Sequence, residues 1–106
     1  MKERAPIVLM SADKINYVVI LGVGGRLRIT TVKNDSNCMD AICIVAERDN
    51  LKNILRGGEL ADKNAKKISF IRTKRRIKVE ATEGGKVISM FIRKKEFGKL
   101  GRSFFK

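Results

Sequence analysis

Apolar and polar positions alternate with a period of two through Lys67–Lys95, KISFIRTKRRIKVEATEGGKVISMFIRKK. That period, carried by β-branched and aromatic side chains, predicts half-buried strands. Three runs stand out: Ile68-Ser69-Phe70-Ile71, then Ile77-Lys78-Val79-Glu80-Ala81, then Val87 to Ile92. Thr82-Glu83-Gly84-Gly85 between the last two reads as a hairpin turn, since glycine reaches positive φ without a steric penalty. In the third run Ile88, Met90 and Ile92 share one face, which suits a core, while Val87, Ser89, Phe91 and Arg93 share the other.

Similar runs fill the N-terminal half. Pro6-Ile7-Val8-Leu9-Met10 predicts a short strand that opens on proline, a residue unable to donate to a ladder. Ser11-Ala12-Asp13 turns the chain, Ile15–Leu21 predicts a second strand, Gly22-Val23-Gly24-Gly25 a turn, and Arg26–Val32 a returning strand. Asn34-Asp35-Ser36-Asn37 is a polar loop, and Met39–Glu47 suits either a strand or a buried helix. Asp49 is placed to cap a helix over Asn50–Arg56, ended by Gly57-Gly58. Glu59–Lys66 reads as a polar connector dividing the chain.

The two sides of that connector resemble each other. Ala41–Ile54 lies over Val87–Leu100 without a gap, and Arg56 then falls on Arg102. Upstream, Arg28-Ile29 matches Arg76-Ile77, and Lys14-Ile15-Asn16-Tyr17 matches Lys67-Ile68-Ser69-Phe70. The match resolves Met39–Glu47 as strand. It predicts an internal duplication of a strand-strand-strand-helix unit, with repeats at 14–58 and 67–106 of a single domain spanning 1–106. The expected fold is α+β: one strongly curved antiparallel sheet, with short helices covering one face and the other face open.

Composition adds a direction to that open face. The chain has 106 residues, 43% of them hydrophobic, enough for one compact domain and too apolar for a disordered tail. Its formal net charge is +13, of which residues 1–53 carry +2 and residues 54–106 carry +11. Such a balance predicts attraction to a polyanion, mainly in the second half. Cys38 and Cys43, with no histidine in the chain, fall short of the about four ligands of structural zinc and read as one or two buried thiols in a reducing compartment. The lack of histidine also removes the commonest general base, and no HExxH or Walker loop is present. Asp13, Asp35, Asp40, Glu47 and Asp49 make no convincing metal cage. Neither catalysis nor a cofactor is expected. Ala5–Met10 is too short for a signal peptide and Tyr17–Val23 too short for a membrane span. The expectation is a soluble intracellular protein of cytoplasm, nucleoid or nucleus, with no membrane partner.

The candidate binding residues follow from charge and exposure. Arg72, Lys74, Arg75, Arg76 and Lys78 form the densest cluster, then Arg93 and Lys94, then Arg26 and Arg28. Guanidinium groups suit planar contact with phosphate or bases. Phe91, between Ser89 and Arg93, reads as a base-stacking platform, with Phe70 and Tyr17 in matching places on the first strands.

Several resemblances point the same way. The ending Lys99–Lys106 resembles the helix that closes a PUR repeat, and Arg26-Leu27-Arg28-Ile29 the basic second strand of one. Likeness to PUR-repeat and whirly-type proteins implies a sheet that binds single-stranded DNA or RNA through cations and stacked aromatics. Ile7–Met10, Lys14–Val18 and Glu83–Ile88 are similar to the opening and the last hairpin of Alba-type proteins, which implies a chromatin protein on duplex DNA or RNA. Leu21–Arg26 reads as a hairpin turn or, by resemblance, as the GxxG loop of a KH domain.

The expected function is therefore non-enzymatic nucleic-acid binding, to single-stranded DNA or RNA, in regulation of transcription or replication. A different class competes with it: a basic protein that docks on an acidic protein partner, as an inhibitor or assembly factor. An unpaired sheet edge in either repeat offers pairing into a homodimer.

Overall fold

In the computed structural model the described residues are 6–35, 38–50, 52, 58–61 and 65–104. They form two four-stranded antiparallel meanders and one α-helix. The first sheet runs β1 (Ile7–Met10), β2 (Tyr17–Val23), β3 (Arg26–Asp35) and β4 (Cys38–Glu47), in that spatial order. The second runs β5 (Glu59–Ala61), β6 (Lys67–Arg72), β7 (Arg76–Glu83) and β8 (Lys86–Arg93), followed by α1 (Lys94–Phe104).

Two-residue turns at Gly24-Gly25 and Gly84-Gly85 set the register of β2–β3 and β7–β8. In each turn the first glycine has positive φ (62° and 61°), the conformation a tight turn between right-twisted strands requires. Leu21–Arg26 is thus a hairpin connection. Met39–Glu47 is strand, paired with β3 along its whole length. Two expectations shift. The connector Glu59–Lys66 contains β5, because Leu60 is apolar enough to be buried opposite Ile68. A 3₁₀ turn spans Arg48–Asn50, but most of the helix expected over Asn50–Arg56 lies outside the described residues.

The expected single sheet is instead a pair. Strands of both sheets alternate inward and outward, and the inward rows meet in one core. Val18, Ile20, Leu27, Ile29, Ile42 and Ile44 come from the first sheet; Ile68, Phe70, Ile77, Val79, Ile88 and Ile92 come from the second. All are buried, so each sheet covers the other, a larger area than one short helix could shield. α1 closes one end, with Phe97 buried against Phe70 at 5.5 Å between ring centroids. At that end the sheets also meet edge to edge. Ser11 bridges Ile92, and the Ala12 amide donates to the Phe91 carbonyl at 2.8 Å.

The two meanders have matched registers at their last strands. β4 ends at Glu47 opposite Arg26, and β8 ends at Arg93 opposite Arg76; a helical turn follows each. Equivalence upstream differs from the alignment read in sequence. Arg26, not Arg28, holds the place of Arg76, and Ile20, not Tyr17, that of Phe70. Among the described residues, no helix is long and apolar enough to cross a membrane.

Candidate nucleic-acid interface

The densest run of cations in the sequence bends through the β6–β7 hairpin, and the turn there is firmly built. The Thr73 amide donates to the Arg76 carbonyl at 2.8 Å, the Thr73 hydroxyl donates to the same carbonyl at 2.7 Å, and the Arg76 amide donates back to the hydroxyl oxygen at 3.1 Å. Lys94, the first residue of α1, donates from Nζ to the Lys74 carbonyl at 3.2 Å and ties the turn to the helix. Held in this way, Lys74 and Arg75 project at an exposed corner beside β8.

Strand parity then sorts the neighbours. Arg76 stands opposite Arg93, and Lys78 opposite Phe91, on the outer face of the second sheet. Ile71 flanks Lys78 on the other side. Phe91 is 45% exposed and Ile71 46%, on either side of Lys78 across three strands. Thr73, Lys74, Arg75, Arg76 and Phe91 line one open concavity of about 500 Å³. Its lining is one phenyl ring, one threonine and three cationic residues.

The electrostatics of this face are unbalanced. Like charges directly opposite each other in a sheet destabilise it, and Arg76 and Arg93 are so placed. Among the described residues, no carboxylate reaches ion-pair distance of Lys74, Arg75, Arg76 or Arg93; the pairs formed lie elsewhere. Lys78 is the exception on this face, 3.6 Å from Glu80 on its own strand. That pair is exposed and contributes little.

The residues expected to bind are thus divided. Lys74, Arg75, Arg76, Lys78, Phe91, Arg93 and Lys94 come together around the hairpin. Phe70 does not: it is fully buried, because it shares a face with Ile68 and packs under α1. Arg72 turns the same way as Phe70, and its guanidinium lies 5.9 Å from the Phe97 ring centre, so it caps the core rather than the outer face. Arg26, Arg28 and Tyr17 lie on the outer face of the first sheet, away from the hairpin. Arg26 is 3.5 Å from Glu47, and Tyr17 is half-buried beside Val32. Thr73 and Ile71 join the face unexpectedly. Threonine three residues before Arg76 was a legible turn signal, as was Ile71 two residues after the outward Ser69.

Edges available for self-pairing are restricted. The outer edge of β8 meets Ser11 and Ala12. On β4, the Ala41 and Cys43 carbonyls accept from Lys86 Nζ (3.3 Å) and Lys66 Nζ (3.4 Å). Inserted ammonium groups of this kind discourage a further strand. No protein family, curated protein or solved structure matches the chain.

Proposed function

We propose that the protein binds single-stranded nucleic acid across the outer face of its second sheet, without catalysis. The observation that carries this reading is the Arg76–Arg93 pair, facing each other without a carboxylate beside an exposed phenylalanine. A phosphate between the two guanidiniums converts a repulsion into two charge-assisted contacts. An unpaired base stacks on Phe91, which a base locked in a duplex does less readily. Lys74 and Arg75 add positive potential to the same concavity. Two meanders with matched closing registers also support descent from a duplicated unit, with four strands each rather than three. In that ancestry the second copy acquired the binding charge, and the pair of sheets acts as one curved surface joined at the Ser11–Ile92 bridge.

The test is a fluorescence titration with a labelled twelve-nucleotide oligothymidylate and a duplex of equal length, at two salt concentrations. Single-strand affinity should exceed duplex affinity and fall with salt by about 0.7 in log–log slope for each phosphate held. Replacing Arg75, Arg76 and Arg93 together by alanine should flatten that slope by about 1.4, one phosphate shared by Arg76 and Arg93 and one held by Arg75. Phe91→Ala should weaken binding by about 1–3 kcal/mol, roughly 5- to 150-fold, with little change in slope. A folded triple variant that binds as the wild type does would remove the basis of the reading. Negligible oligonucleotide retention at about 0.15 M salt would favour an acidic protein surface as the partner instead.

A further inference from the structure

A second cavity lies on the far side of Arg93, at the seam where β1 meets β8. It has a volume of about 290 Å³ and is lined by Met10, Ser11, Lys14, Arg93, Lys95 and Glu96. Its acids are already engaged. Glu96 Oε2 is 2.6 Å from Lys99 Nζ, and Oε1 accepts the Met10 amide at 3.3 Å. The neighbouring Asp13 carboxylate accepts from the Ser11 hydroxyl and the Ile15 amide. No acid within ion-pair distance is found for Lys14, Lys95 or Arg93 among the described residues.

The turn that presents Lys14 is over-determined. Lys14 has a φ of 63°, a left-handed conformation that costs a non-glycine residue about 1 kcal/mol or more. It is held there by its amide, which donates to the Ser11 carbonyl at 2.9 Å. The Asn16 amide donates to the Ser11 hydroxyl oxygen at 3.1 Å, and the Ser11 amide to the Asn16 carbonyl at 2.9 Å. Three cations therefore converge on a space large enough for a phosphate, on a rigid frame. Arg93 belongs to this cavity and also faces Arg76, which lines the first one.

We propose that the seam cavity is a second phosphate subsite, so that the bound strand runs from the Phe91 concavity over Arg93 to Lys14 and Lys95. This rests on the single-strand reading above. Phe91 and Arg93 are two residues apart on β8, about 7 Å along the strand, so the path is continuous at short range. The subsite takes an internucleotide phosphate and makes no demand on base identity.

The test replaces Lys14 and Lys95 together by glutamine in the full chain and repeats the oligothymidylate titration across salt. The double variant should bind more weakly and lose about 0.7 of salt slope, the share of one phosphate. A thermal melt unchanged from wild type shows that the turn survives. Wild-type slope in a folded double variant overturns the subsite while leaving the Phe91 site standing. Absence of oligonucleotide binding by the wild-type protein overturns both.

Discussion

Phe70 and Phe91 show how a single position decides between burial and exposure. Both sit on strands of the second sheet, and both have a serine two residues away or adjacent. Phe70 shares its face with Ile68 and vanishes under Phe97, whereas Phe91 shares its face with Ser89 and Arg93 and stays in solvent. A second residue-scale consequence concerns Thr31, which is fully buried on β3 in line with Leu27 and Ile29. Its hydroxyl has no hydrogen-bond partner in the structure. A buried unpaired hydroxyl costs about 1–3 kcal/mol, and valine has nearly the same shape. Thr31→Val should therefore raise the urea midpoint, by about 1 kcal/mol in unfolding free energy. A lowered midpoint would mean that the hydroxyl is satisfied after all, by water for instance.

At the scale of elements, alternation made most strands legible. The inward rows Ile77-Val79-Ala81 and Ile88-Met90-Ile92 and the Gly84-Gly85 turn could be read directly, since a period of two leaves little choice of face. β5 escaped because three residues with one buried leucine give no periodicity. The division of the cations was harder still. Arg72 and Arg76 are close in sequence but on opposite faces, and only the length of the turn between them fixes that. Nor does sequence show that Lys14 and Lys95 share a cavity, which depends on the β1–β8 meeting. The same meeting gives a pH-dependent element. Hydrogen bonding to Lys99 first, and to the Met10 amide, lowers the pKa of Glu96, which links α1 to β1. Because the folded pKa lies below the unfolded one, the ionised group contributes stability fully above the unfolded value. The contribution disappears as pH falls through the folded value. Glu96→Gln should lower the melting temperature at pH 7, and the difference from wild type should close at strongly acid pH. A difference that persists unchanged at acid pH would show that the carboxylate's charge is not the cause.

The whole molecule is governed by the shared core. Among the described residues neither sheet has another cover for its inward row, since α1 closes only one end and the buried side chains of both sheets form one cluster. Separating the sheets would expose Val18, Ile20, Ile29 and Ile44 on one side and Ile68, Phe70, Val79 and Ile88 on the other. A sheet's apolar face must be buried against another element, so the two halves should unfold together despite their repeated topology. Tyr17 gives a local probe of this coupling, because it is the sole tyrosine, lies on β2, and has no tryptophan to mask it. Its emission reports the first sheet, while far-ultraviolet dichroism reports both. The two urea curves should coincide in the wild type. Ile77→Ala, a cavity in the second sheet, should cost about 2–5 kcal/mol and shift both curves equally. If the dichroism curve moved while the tyrosine curve stayed in place, the sheets would be independent units, and a core built from both could not be what holds the outer face of the second sheet in shape.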